Sequence, residues 1–73
     1  MPQLIDYVAH VRFDGRSRDL PLSELDVGLY SSDAEIKRAV AAYFLVPEAK
    51  LRDYVVDRHR TGNLTIRPEA VFG

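Results

Sequence analysis

The chain has 73 residues, with ten basic and eleven acidic side chains and a net charge of −1. This length fits a single domain over residues 1–73, and the balanced charge gives no global attraction to nucleic acid or membrane. The absence of cysteine excludes disulfides and thiolate chemistry. There is no apolar run of the roughly 18 residues that cross a bilayer, and the start does not resemble a signal peptide. We expect a soluble, cytoplasmic protein.

The first element is a predicted β-hairpin. From Leu4 to Phe13, apolar and polar residues alternate, which is typical of a half-buried strand. Asp14-Gly15 follows, a dipeptide that favours the type I′ turn of a two-residue hairpin loop. The return strand is predicted from Arg16 to Leu22. This loop length places Ala9 opposite Leu20 and Tyr7 opposite Leu22, so the apolar faces of both strands agree in register.

The second element is a predicted helix within Ser31 to Leu51. Ser32 and Glu35 have the spacing of a capping box, in which each side chain accepts a hydrogen bond from the other residue's backbone N–H. Four apolar residues then recur at helical spacing and predict the buried face: Ile36, Ala39, Val40 and Tyr43. Ala41 is expected to lie mainly outside this face. Pro47 predicts that the helix ends near Leu45 or Val46.

A second hairpin completes the chain. Asp53 to Thr61 contains Tyr54-Val55-Val56, a combination with high strand propensity. Thr61-Gly62-Asn63 predicts a turn, and Leu64 to Arg67 alternates again before Pro68 interrupts regular pairing. The predicted order is therefore strand, strand, helix, strand, strand, in an α+β domain.

This order resembles the ubiquitin-like β-grasp superfamily. The similarity rests on Asp14-Gly15 at the first turn, on the single helix between Ser32 and Val46, and on the proline-containing exit Val46-Pro47-Glu48-Ala49-Lys50-Leu51. The resemblance implies a ββαββ β-grasp fold. In it, a four-stranded mixed sheet has its two terminal strands parallel and adjacent at the centre, and the helix packs across one face.

The C-terminal sequence departs from that superfamily's modifiers and sulfur carriers, which end in a flexible Gly-Gly tail. This chain ends in Ala70-Val71-Phe72-Gly73. A bulky phenylalanine does not suit the narrow channel of an activating enzyme. We therefore expect a small, non-catalytic protein-interaction module that binds an unidentified protein, as a monomer or weak homodimer. A modifier or sulfur-carrier-type protein is the first alternative, and a weak basic nucleic-acid binder is the second.

Candidates for catalysis and metal binding are few. The predicted register places His10 opposite Asp19, where a carboxylate could orient a general base, but an exposed cross-strand pair explains the same pattern. His59 is predicted on the second hairpin, and nothing in the sequence places it near His10. The acidic residues are scattered singly, and neither histidine has a partner at metal-ligand spacing. We expect no enzyme activity, catalytic residue, metal or cofactor.

Two surface features remain as candidates for an interaction surface. The first is the pair Arg58 and Arg60 before the second turn, which with Arg16 and Arg18 could form a basic rim that binds phosphates. Interleaved aspartates and the lack of free aromatic residues make nucleic acid the less favoured partner. The second feature is Val71 and Phe72, which could fold back on the core, remain free or dock on another chain. We expect Phe72 to be docked.

Overall fold

A computed structural model describes residues 6–69 of the chain. Within this range, two hairpins flank one α-helix. Short 3₁₀ helices at Leu22–Leu25 and Glu48–Leu51 connect the helix to the hairpins. The strands and helix are β1 (Val8–Phe13), β2 (Arg16–Pro21), α1 (Asp33–Phe44), β3 (Tyr54–Arg58) and β4 (Leu64–Pro68).

The four strands form one mixed sheet in the order β2-β1-β4-β3. β1 and β4 are parallel neighbours at the centre, and each hairpin adds an antiparallel strand at one edge. The predicted α+β class, with a four-stranded mixed sheet and one helix, is confirmed. The strand order also makes β2 and β3 the two edges of the sheet.

The first hairpin has the predicted turn and register. Asp14 and Gly15 both have positive φ, 55° and 75°, as a type I′ turn requires. Ala9 is paired with Leu20. The Leu22 N–H donates to the Tyr7 carbonyl at 2.8 Å, although Leu22 belongs to a 3₁₀ helix and not to the predicted strand. Pro21 is both the last residue of β2 and the N-cap of this 3₁₀ helix, with a φ of −61° that its ring favours.

α1 begins with the predicted capping box. The Glu35 N–H donates to Ser32 Oγ at 3.1 Å, and the Ser32 N–H donates to Glu35 Oε1 at 2.9 Å. The predicted buried face needs one correction: Ala41 is buried, whereas Tyr43 is 39% exposed. The sheet covers a helix face centred between Val40 and Ala41, so Phe44 packs against the core instead of Tyr43.

A single core lies between α1 and one face of the sheet. Because side chains alternate along a strand, the same register that pairs Ala9 with Leu20 also turns both toward the helix. The buried residues are Ala9, Val11, Leu20, Leu22, Leu25, Ile36, Val40, Ala41, Leu51, Leu64 and Ile66. The opposite face of the sheet is not covered by any described element, and polar side chains occupy most of it.

The turn of the second hairpin packs against the start of the first. Gly62 has φ 102°, and a Cβ at this position would lie 2.5 Å from Cε1 of Tyr7. Asn63 Oδ1 accepts a hydrogen bond from the Val8 N–H at 3.0 Å. Gly62 therefore allows the Tyr7 ring to approach the turn, and Asn63 joins the two hairpins at this end of the sheet.

Candidate functional site

An aromatic cluster lies at the end of the sheet where the first hairpin turns. The rings of Phe13 and Phe44 are stacked with centroids 5.2 Å apart, and Tyr54 lies 5.8 Å from Phe13. Tyr43 meets Phe44 edge to face at 5.3 Å. These four rings come from β1, α1 and β3, so the last turn of the helix is fixed over this end of the sheet.

A groove lies between the last turn of α1 and the β2 edge, with a volume of about 470 Å³. Aromatic and aliphatic side chains line it, together with two arginines from β2. We call it the hairpin groove, and its residues are Phe13, Asp14, Arg16, Arg18, Tyr43, Phe44 and Val46. Next to it, Leu45 is 90% exposed. An apolar surface bordered by two arginines and one aspartate is thus available to a ligand.

A second, smaller groove of about 280 Å³ adjoins the first. The two grooves share Phe13, Asp14 and Val46, and the smaller one adds Lys50 and Tyr54. Phe13 therefore lines both grooves. Each groove contains at least one cationic side chain.

The β2 edge bordering the hairpin groove has free backbone groups. Tyr7 and Leu22 share a backbone hydrogen bond, and bonded and non-bonded pairs alternate along an antiparallel ladder. Arg16, Arg18 and Leu20 are therefore bonded to β1, whereas Ser17 and Asp19 direct their N–H and C=O groups away from the sheet. The backbone of Pro21 also faces away from β1, so its missing N–H removes no bond to that strand.

The β3 edge is partly occupied by the chain itself. Its outward carbonyl at Tyr54 accepts a hydrogen bond from Lys37 Nζ at 3.2 Å, and the same ammonium group donates to the Arg52 carbonyl. At the other end of the strand, the Arg58 guanidinium lies against the segment before α1. The β3 edge thus has one outward group occupied and a side chain held along it, whereas within residues 6–69 no hydrogen bond occupies the outward backbone groups of Ser17 and Asp19 on β2.

Arg58, a predicted surface residue, has three intramolecular partners. Its guanidinium donates to the Ser31 carbonyl and to Asp33 Oδ1, both at 2.7 Å, and to the Leu29 carbonyl at 3.4 Å. These bonds hold the segment before α1 against β3. Arg60 lies in the turn that follows β3 and makes no ion pair with another residue of the described range.

The four arginines of the predicted basic rim form two separate pairs, with Arg58 and Arg60 on one hairpin and Arg16 and Arg18 on the opposite edge strand. Arg58 pairs with Leu64, which pairs with Ala9, which in turn pairs with Leu20. Arg58 therefore lies in the same row as Leu20, near the end of the sheet away from the first turn. Arg16 pairs with Phe13 at the other end, beside the first turn. A continuous rim containing both groups is therefore absent from residues 6–69. Val71 and Phe72, the other predicted surface residues, lie outside this range.

The polar face of the sheet brings the two histidines toward one residue. His10 Nδ1 lies 2.7 Å from Asp19 Oδ1, so the predicted cross-strand pair is confirmed, and both side chains are exposed. Across the parallel pair His10 is opposite Thr65, whose hydroxyl lies 2.6 Å from His59 Nε2. The sequence did not indicate this proximity, because it arises from the pairing of β1 with β4.

Residues 6–69 contain neither a candidate metal site nor a helix that could span a membrane. No group of three or more potential metal-ligating His, Asp or Glu side chains occurs in this range. Its α-helix has 12 residues, and no helix here has the length and apolarity to cross a membrane. The exposed cluster and its grooves therefore remain the most developed site in the described chain.

Comparison with known proteins gives no relative. No protein-family model, curated protein or solved structure matches this chain.

Proposed function

We propose that the chain is a small, non-catalytic protein-interaction module with a ubiquitin-like β-grasp fold. The central parallel pair, the two flanking hairpins and the single helix agree with what the sequence resemblance implies. Binding takes place at the aromatic end of the sheet. The hairpin groove is the observation that carries this proposal, since it combines exposed apolar surface, cationic side chains and a free strand edge.

Two physical properties of the groove support protein binding. Aromatic and arginine side chains contribute a large share of the affinity at protein interfaces, and both are present here. Free backbone groups on an edge strand can pair with an extended segment of a partner, which adds affinity that does not depend on the partner's sequence. The groove is also shallow and open, in keeping with a peptide or protein surface as ligand.

The non-catalytic part of the proposal rests on the surroundings of the polar side chains. His10 and Asp19 are both exposed on an open sheet face, where water has free access to the pair. General acid–base catalysis is favoured where a cleft orients the substrate and shifts the pKa of the catalytic group. The arrangement of His10, Thr65 and His59 is better explained as a row of cross-strand contacts.

The test is affinity capture from native lysate with two matched variants. Tyr43→Ala removes an aromatic ring from the groove, and Tyr30→Ala removes a ring that is 99% exposed outside it. We expect a defined non-covalent partner to be retained by the wild-type protein and by Tyr30→Ala, and lost or strongly reduced with Tyr43→Ala. Retention of every partner by Tyr43→Ala would contradict the proposed site.

The same experiment separates a module from the modifier alternative. A modifier would appear in lysate as a ladder of species linked by isopeptide bonds, and these resist boiling in detergent. A module yields only partners that denaturation releases. Isopeptide-linked products detected by mass spectrometry would favour the modifier.

A further inference from the structure

The β2 edge is unsuited to pairing with a second copy of itself. A two-fold antiparallel pair must join outward-facing residues. An axis through Leu20 would join Asp19 to Pro21, which has no N–H to donate, so the axes that allow a complete hydrogen-bonded pair pass through Ser17, Arg18 or Asp19. The axis through Ser17 places Arg16 of one copy opposite Arg18 of the other. The axis through Arg18 places the two copies of Arg18 opposite each other, and the axis through Asp19 does the same for Asp19. Each register puts like charges directly opposite one another, which destabilises a cross-strand pair.

The positive charges of Arg16 and Arg18, which disfavour pairing with a second copy, favour a partner of opposite charge. Arg16 and Arg18 are exposed, line the hairpin groove and form no ion pair within residues 6–69. They lie on the helix-facing side of the sheet, because their β1 partners Phe13 and Val11 do so. An added strand would direct every second side chain toward the same side. Carboxylates at these positions would be opposite the two guanidinium groups.

We propose that the β2 edge binds an extended acidic segment of another protein by strand addition. Two acidic residues spaced i, i+2 contact Arg16 and Arg18, and a large apolar residue two positions further packs on Tyr43 and Phe44. The backbone of the segment pairs with the outward groups of Ser17 and Asp19. This inference rests on the proposed function and names the chemistry of the partner.

The proposed occupant is a segment of another chain. Residues 70–73 include no acidic side chain to place opposite Arg16 and Arg18. A second copy is disfavoured by the opposed charges at each register. A segment of opposite charge is complementary to this edge.

The first test uses two synthetic peptides titrated into the full chain and followed by NMR. The peptide TTDTDTLTT presents two aspartates and a leucine on one face of an extended strand, and TTKTKTLTT replaces the aspartates with lysines. We expect the acidic peptide to bind on the order of tenfold more tightly or better. Equal binding of the two peptides, or no binding of the acidic peptide, would overturn the proposal.

Charge reversal provides the matched control. The double variant Arg16→Glu/Arg18→Glu should reverse the preference, so that it binds TTKTKTLTT and no longer binds TTDTDTLTT. Arg12→Glu alters a residue of the same hairpin on the opposite face of the sheet, and it should retain the wild-type preference. Gain of lysine-peptide binding is a readout that an unfolded variant could not give. If Arg12→Glu also lost binding of TTDTDTLTT, the net charge of the protein and not the β2 edge would explain the preference.

Backbone pairing is tested separately at Ser17. Ser17→Pro removes an outward N–H without removing a bond to β1, as Pro21 shows for the same phase of the strand. Ser17→Ala changes the side chain and keeps the N–H. We expect on the order of tenfold weaker binding of TTDTDTLTT by Ser17→Pro, with little change for Ser17→Ala. Equal affinities for both variants would overturn strand addition.

The outcomes distinguish this inference from the proposed function. If a lysate partner depends on Tyr43 but binds equally to the wild-type protein, Arg16→Glu/Arg18→Glu and Ser17→Pro, the module stands and acidic strand addition fails. If TTDTDTLTT binds with the expected dependence on Arg16 and Arg18 while no lysate partner depends on Tyr43, the edge chemistry stands and the proposed function fails.

Discussion

Leu45, just past the last residue of α1, has two unfavourable features at once. Its φ is 58°, a left-handed conformation that costs an L-residue about 1–2 kcal/mol, and its side chain is 90% exposed beside the hairpin groove. Glycine is common at this position of a helix because it adopts positive φ without strain. A bulky apolar residue here adds to the exposed apolar surface around the groove.

Leu45→Gly should therefore stabilise the fold. We expect an increase of about 0.5–1 kcal/mol in the free energy of unfolding, measured by urea denaturation. Leu45→Ala is the control, since it keeps a Cβ at the same φ and removes little buried surface, so its stability should stay near that of the wild-type protein. A loss of stability in Leu45→Gly would contradict the strain argument.

The buried face of α1 can be tested at two residues that the sequence pattern had grouped together. Ile36 is fully buried, and truncation to alanine should lower the free energy of unfolding by about 2–5 kcal/mol. Tyr43 is 39% exposed, so Tyr43→Ala should cost clearly less in the same urea titration. Similar costs for the two variants would mean that the helix does not pack with the face described.

The N-terminal end of α1 gives the fold a defined pH dependence. The hydrogen bond from the Ser32 backbone N–H lowers the pKa of Glu35, and the contact with the Ser32 side chain and the charge of Arg38 lower it further. A pKa lower in the folded than in the unfolded state stabilises the fold above the ordinary glutamate pKa. That contribution is lost as the pH falls through the lowered value.

Glu35→Gln removes this titration and keeps an acceptor for the Ser32 N–H. Between pH 7 and pH 3, the urea midpoint of the wild-type protein should therefore fall further than that of Glu35→Gln. The two proteins differ only at this side chain, so the difference between their two slopes reports Glu35. Parallel pH profiles would contradict a role for the ionised capping box.

The sequence predicted elements where the signal was local. Asp14-Gly15 needs only its own backbone preference to form the turn, and Ser32 with Glu35 needs only one helical turn to form the cap. The 3₁₀ helix at Leu22–Leu25 and the burial of Ala41 were not predicted. Both depend on how the helix is placed over the sheet, which no short window of residues specifies.

The candidate site also depends on contacts between residues that are far apart in the chain. Phe13 and Phe44 are 31 positions apart in the chain, and their stacking follows from the packing of α1 on β1. The sequence pattern predicted Arg58 as part of an interaction surface. In the structure its guanidinium donates hydrogen bonds to the Ser31 carbonyl and to Asp33. Exposed aromatic residues at a helix end beside a basic hairpin were the signal that could have indicated the groove.

At the scale of the whole molecule, the two sheet edges differ in availability. The β3 edge has an outward carbonyl bonded to Lys37 and an arginine bonded to the neighbouring segment. The β2 edge has free groups at Ser17 and Asp19 and borders the hairpin groove. We therefore place the proposed partner on the β2 edge, where bonded and outward-facing backbone amides alternate and can be measured residue by residue.

Amide hydrogen exchange along β2, with and without the peptide TTDTDTLTT, is the most direct test. In the free protein we expect fast exchange at Ser17 and Asp19 and slower exchange at Arg16, Arg18 and Leu20, whose N–H groups are bonded to β1. The bound peptide should slow exchange at Ser17 and Asp19 above all. Protection that appears instead along β3, or that leaves Ser17 and Asp19 unchanged at saturating peptide, would contradict the account.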